Sequence, residues 1–294
     1  MNRTLFYTKK IAALYGYEKA AYFFLYAHTH RKILNRWFDD LDTKLPSCTS
    51  EATRVRLAMR PVYRYVRPGL SPTQKIDIIN YYYTSLATRF SPAGVTSFLH
   101  EEGHQMAELT GKSGRKYALI LLTETTKEGA IKFLLMDTHL NACLAKITGI
   151  IGVDKNQHPV FLVGSIQGSY PPTGKEDIAH ATKDLNNLRP KQVVFYAACA
   201  LAEWFGIDTV LAPSLRNQIA MKVFYRKHKI YNDYNSFWEE FVPISPDNDY
   251  HIPLPVPRRQ AADVPSKRRK DWLLRYERID SLSASIKERL SSFQ

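Results

Sequence analysis

The residues best suited to chemistry begin with His100-Glu101-Glu102-Gly103-His104, a match to the H-E-x-x-H pattern. On a helix the two histidines would share a face and ligate zinc, with Glu101 as general base of a hydrolase. Two features count against that helix. Gly103 costs roughly 1 kcal/mol against alanine in a helix interior, and Glu102 puts a charge where such a helix faces its core. Gly111-Lys112-Ser113 looks like the end of a phosphate loop, but Met106 stands where that loop needs glycine, and a strand follows. An ordinary turn is expected there. Gly164-Ser-Ile-Gln167-Gly168 offers more: two glycines and an amide close an apolar strand, where a ligand can approach the backbone. Arg189 and Lys191 flank a helix start at Pro190, and a helix N-terminus with two cations suits an anion.

Basic clusters supply further candidates. Lys267, Arg268, Arg269, Lys270, Arg275 and Arg278 interleave with Trp272 and Tyr276, and Lys222, Arg226, Lys227 and Lys229 lie near Tyr225 and Tyr231. Such runs contact phosphates or a membrane surface, or simply form a solvated helix face. The aromatic run from Tyr231 to Phe241 reads as buried packing.

The elements that must position these groups follow from periodicity. Residues 8–39 read as helical, as do 52–65; a third helix has Ser71 as N-cap and Pro72 at its first position. Short apolar runs at 117–123, 130–136, 142–151 and 159–166, separated by turn residues, read as an antiparallel meander. Helices at 175–185 and 190–205, the latter ended by Gly206, lead into a strand at 207–212, so one parallel crossover is expected. Residues 245–257 read as a proline-rich extended strap, and 267–290 as a final helix. The class is α+β: N-terminal helices over 1–90, then a mixed, mostly antiparallel sheet domain over 91–294 with a basic C-terminal helix.

Bulk composition agrees. The chain has 294 residues, 45% of them apolar, and a formal net charge of +13. That is enough apolar material for a core, and the charge points to an anionic partner such as nucleic acid, phospholipid, an acidic protein or a phosphorylated cofactor, or serves solubility alone. No apolar stretch approaches the roughly 18 residues of a membrane helix. Cys48, Cys143 and Cys199 are too few and too scattered for a disulfide framework or a zinc knuckle, so a reducing cytoplasm is expected.

Several motifs together resemble the VirK/YbjX family of bacterial proteins. Val163-Gly-Ser-Ile-Gln-Gly168 with Ala181-Thr-Lys-Asp-Leu-Asn-Asn-Leu-Arg-Pro-Lys191 is similar to that family's IGxLQG and LTKxxHGLRPK stretches. Tyr234-Asn-Ser-Phe-Trp-Glu-Glu240, Pro265-Ser-Lys-Arg-Arg-Lys270 and Met59-Arg-Pro-Val-Tyr63 resemble its YDxFWEE, PSKKR and RPYL motifs, in the same order. Two departures stand out: Asn186-Asn187 replaces His-Gly, and Asn80-Tyr81-Tyr82 stands where a His-Tyr pair is common. The resemblance implies a Gram-negative protein tied to virulence, envelope properties and tolerance of antimicrobial peptides.

A further likeness concerns fold. Strand 160–166, helix 190–205, strand 207–212, Asn217 and Tyr225 are similar in order to the core of GNAT acyltransferases. That likeness implies an acyl or aminoacyl transferase using acyl-coenzyme A or an acyl-carrier thioester. Arg189, Lys191 and Asn217 would bind the donor, Gln167 and Gly168 would face the thioester, and Tyr225 would protonate the leaving thiolate. A basic, non-catalytic protein binding nucleic acid or a protein partner is the competing expectation, and a zinc hydrolase at His100–His104 a third. A gap between strands 160–166 and 207–212 that opens toward Pro190 would favour the transferase, and a closed sheet there, filled by side chains, would count against it.

Overall fold

The computed structural model describes residues 2–123, 126–168, 174–219, 234–245, 247, 249–258 and 260–294. The predicted helix over 8–39 is three helices, α1 (Arg3–Tyr15), α2 (Tyr17–Thr29) and α3 (Arg31–Thr43), broken at Gly16 and His30. The next helix, α4 (Glu51–Met59), is capped by the Ser50 hydroxyl. It stops short of the expected Tyr65, because Pro61 has no N–H with which to extend the ladder. In α5 (Pro72–Arg89) the Ser71 hydroxyl accepts from the Gln74 amide while the Gln74 side chain accepts from the Ser71 amide. A short α6 (Pro92–Phe98) follows.

Among the described residues the strands form one seven-stranded sheet in sequence order. They are β1 (His104–Thr110), β2 (Lys116–Leu122), β3 (Ile131–Asp137), β4 (Ala142–Val153), β5 (Pro159–Gly168), β6 (Thr209–Pro213) and β7 (Asp249–Pro253). Every neighbouring pair is antiparallel except β5 and β6. The parallel connection runs through α7 (Lys175–Asp184) and α8 (Pro190–Trp204), so the α+β class and the single crossover hold. The expected strap carries β7, and β1 emerges where no strand was expected.

The helix α5 packs on β4, as does α8, and α10 (Ser266–Ser291) packs against α8. Covered strands need continuous apolar sequence. Accordingly β4 and β5 bury Leu144, Ile147, Ile150, Phe161, Val163 and Ile166. A short helix α9 (Tyr234–Trp238) adds Phe237 and the fully buried Trp238, which surround Phe195 of α8 at ring distances of 6.1 and 5.5 Å. The aromatic run is therefore packing where it is described. One apolar core extends from Tyr7 in α1 to Phe293 after α10.

Candidate functional site

The strand β5 is paired with β4 along its whole length, from Val153↔Pro159 to Ala145↔Gly168. With β6 it shares only Phe161↔Val210 and Leu162↔Leu211. Beyond Leu162 the two strands no longer share a ladder, but the gap looked for there is not open at this point. Its root is filled. The buried Arg67 guanidinium donates to the Val163 carbonyl, to the Leu211 carbonyl at 2.9 Å and to Asp249 Oδ2 at 3.2 Å. One cation thus satisfies both strand carbonyls and is neutralised by a carboxylate of β7. On the next turn of β5, a Cβ at Gly164 would lie 1.8 Å from the Glu128 carbonyl oxygen, so only glycine fits. The Ser165 hydroxyl donates to Glu128 Oε2 at 2.7 Å. A cavity of about 350 Å³ lies beside the root, lined by Arg67, Leu162, Leu211 and Asp249, and a second one lies at the far end, beside Gly168.

That end opens on a cleft of about 510 Å³ lined by Gly168, Lys175, Ile178, Arg189, Lys191, Phe237 and Glu240, among others. Pro190 occupies the first position of the 15-residue α8, where its missing N–H costs nothing, and the Gln192 side chain accepts from the Arg189 amide at 3.2 Å. The Arg189 guanidinium donates to Glu240 and lies 5.7 Å from the Phe237 ring centre. Glu240 also accepts from Gln192 at 3.2 Å. Burial, and then the Arg189 charge, pull the Lys191 ammonium below its ordinary value. A Cβ at Gly168 would sit 3.7 Å from the Lys191 side chain, an ordinary contact, which places the lysine beside the strand end.

Of the predicted site residues, Gly168, Arg189 and Lys191 therefore come together, and Gln167 precedes Gly168 on the same strand. Asn217 is held elsewhere: its side-chain amide donates to the Asp247 carbonyl and to Asp249 Oδ1, both at 3.1 Å, beside the Arg67 anchor. Tyr225 and the basic cluster from Lys222 to Lys229 lie outside the described residues. Sequence reasoning missed Arg67, Lys175 and Glu240. Only Glu240 carried a signal, as the last residue of the Tyr234–Glu240 motif.

Much of the 181–191 motif is structural. The buried Asp184 accepts from the Ser113 amide at 2.7 Å, the Ser113 hydroxyl at 3.0 Å and the Tyr117 hydroxyl at 2.9 Å. Burial alone would raise its pKa, but these donors outweigh it and hold the carboxyl below the ordinary value. The loop Gly111-Lys112-Ser113 is thus a turn already closed around a protein carboxylate, in place of a phosphate. Asn186 and Asn187 adopt φ of +57° and +60°, where glycine and asparagine are the residues that fit. Asparagine at both positions is compatible with that backbone. The Asn186 side chain accepts from Arg278 of α10 at 2.6 Å, and Arg278 also donates to the Thr110 carbonyl at 2.6 Å.

The H-E-x-x-H segment is not a helix. Gly103 sits at φ +75° in a turn and His104 begins β1. The His104 imidazole is 2.8 Å from the Ser97 carbonyl and packs on Phe293. The one-turn spacing that would aim both histidines at one zinc is absent, because strand and turn replace the helix that creates it.

Comparison with known proteins adds the following. An uncharacterized Escherichia coli K12 protein, YbjX, is 29% identical over 256 residues, 85% of this chain and 77% of its own length. An uncharacterized Haemophilus influenzae protein is 30% identical over 128 residues, 44% of this chain and 43% of its own length. Among solved structures, a cAMP-binding acyltransferase from Mycobacterium smegmatis aligns with a TM-score of 0.30 at 9% identity, over 76% of this chain and 62% of that one. At that score the likeness decides nothing about this chain. The DUF535 family profile, described as a protein of unknown function, matches residues 14–288, and the chain belongs to that family.

Proposed function

We propose that the cleft at the end of β5 binds the phosphate-bearing part of an activated acyl donor, acyl-coenzyme A or an acyl-carrier thioester, and that the protein is an acyl or aminoacyl transferase. The observation that carries this reading is the convergence of Lys175, Arg189 and Lys191 on one cleft with Gly168, at the N-terminus of α8 and the carboxyl end of β5. The single parallel crossover, from β5 through α7 and α8 to β6, begins at this strand end. Three cations against the single carboxylate Glu240 favour an anion, and Leu144, Ile178 and Phe237 offer apolar wall to its uncharged part. An acceptor amine attacks the thioester carbon, a carbon–nitrogen bond forms and the carbon–sulfur bond breaks; the thiolate takes a proton from the Tyr225 phenol, and the proton released by the amine nitrogen passes to water, from which the phenolate is reprotonated.

The test is thermal stabilisation by acyl-coenzyme A. Ligand at 100 times its Kd raises Tm by about 5 °C for a chain of this size, and Lys191→Glu abolishes the rise. Tyr225→Phe keeps the rise and lowers turnover by about 100-fold. No response to any thioester or to coenzyme A overturns the reading. A second reading, binding of nucleic acid, is favoured by the exposed run Lys267-Arg-Arg-Lys270 in the first turns of α10. Cations there oppose the helix dipole, which a polyanion would relieve. Steep salt dependence of RNA binding, lost on neutralising that run, would support it.

A further inference from the structure

The first two helices expose what a helix in water normally hides. Among the described residues nine large hydrophobic side chains are exposed, and six of them, Leu5, Leu14, Tyr17, Tyr22, Phe24 and Leu25, belong to α1 and α2. Tyr17 is 85% exposed and Leu25 65%. Periodicity sharpens this. One stripe of α2, Ala20, Phe23 and Ala27, is buried against the protein. Tyr17, Ala21, Phe24, Leu25 and His28 recur at helical spacing on the outward side. Beside the exposed Glu18, Lys19, His28 and Thr29, α2 thus carries apolar side chains on an outward side as well as on its buried stripe.

Charge identifies the cover. Residues 1–36 carry seven basic residues and one acidic residue, Glu18. Arg3 pairs with Asp39 and Asp42, and Lys10 with Glu51. Lys9, Lys19, Arg31, Lys32 and Arg36 remain exposed around the apolar side chains. A second copy docking through the same face would bring the same positive charge against itself. An anionic bilayer accepts both parts: aromatic and leucine side chains enter the headgroup boundary, and lysine and arginine reach the phosphates. At 13 residues α2 is about 20 Å long, too short to cross a bilayer but suited to lying in its surface. No described helix is long and apolar enough to span one.

We propose that the outward face of α1 and α2 is a membrane-docking surface that lies on anionic phospholipid. The experiment is flotation of the full chain with vesicles of phosphatidylethanolamine containing about 30% phosphatidylglycerol, against pure phosphatidylcholine. Anionic vesicles are expected to bind at least about tenfold more tightly, with binding weakened by salt. The double variant Phe24→Glu, Leu25→Glu loses that binding by about tenfold or more, while its melting curve stays that of the parent because both side chains face outward. Arg31→Gln with Lys32→Gln weakens anionic binding and leaves any phosphatidylcholine binding unchanged. Absence of flotation overturns the proposal, as does flotation that survives Phe24→Glu, Leu25→Glu. Concentration-dependent dimerisation abolished by the same variant assigns the face to self-association and overturns it too.

Discussion

Arg67 and the Arg189–Lys191 pair stand at two ends of the same structural unit and use positive charge in opposite ways. Arg67 is buried, with its guanidinium donating to two strand carbonyls and to Asp249. Its charge is consumed by the fold: it closes the point where β5 and β6 part. Arg189 and Lys191 sit on an open cleft with Lys175, facing the single acid Glu240. Their charge exceeds what the protein supplies to balance it, and burial next to Arg189 already depresses the Lys191 ammonium. A cation whose hydrogen bonds are spent on the fold holds structure together, whereas cations in local excess beside a cavity attract a ligand. At the buried site the arginine fork of donors suits two carbonyls and a carboxylate at once.

Breaking the structural side should have the largest effect. Arg67→Met leaves Asp249 and two carbonyls without their donor and should lower stability by about 3–5 kcal/mol, read by urea unfolding. Arg67→Lys should recover only part of that, because an ammonium cannot reach all three partners. If Arg67→Met unfolds like the parent, the cation is not the anchor and the contrast fails.

Asp184→Asn comes next, at about 2–3 kcal/mol near neutral pH, since three donors lose their carboxylate. The sign with pH is fixed by the direction of the shift. The folded Asp184 carboxyl titrates below its ordinary value, so its contribution is complete above the unfolded value and is lost as pH falls through the folded one. The gap between parent and variant should therefore shrink toward pH 3. A gap that is constant with pH would show that charge is not what the cage recognises.

On the ligand side, Lys191→Glu should change stability by no more than about 0.5 kcal/mol, yet remove thioester-induced stabilisation. A large stability loss there would place Lys191 with Arg67 and erase the distinction. The smallest effect is expected for Asn187→Gly, at an exposed residue held at φ +60°. Asn187→Gly should be neutral or stabilising by about 0.5 kcal/mol, and Asn187→Val destabilising by about 1–2 kcal/mol, in thermal melts. Equal behaviour of the two would show that this backbone does not discriminate between them.

The strands β2 to β5 were legible because each is a short apolar run between turn residues, and α5 and α8 because Ser71-Pro72 and Pro190 mark their starts. The strand β1 was hidden by a bulge between Gln105 and Ala107, which breaks the alternation that marks a strand. The strand β7 is only five residues long, ends at Pro253 and lies at the sheet edge, where proline is tolerated. At the site, Gly168, Arg189 and Lys191 were readable because a glycine-flanked strand end and a proline-marked helix start are local signals. Arg67 was not, since its carbonyl partners lie 96 and 144 residues away and its own neighbourhood reads as a turn.

The sequence by itself determined most element types, β1 and β7 excepted, the excess of basic charge and the two short segments that meet at the cleft. Each of these is set within a few residues, by period, by capping chemistry or by composition. Only the tertiary structure decided that Arg67 fills the β5–β6 opening, that Asp184 fills the loop resembling a phosphate site, that His104 lies in a strand, and that α2 turns an apolar face outward. Those outcomes depend on which distant groups arrive at the same place, and hydrogen bonding and burial are settled there.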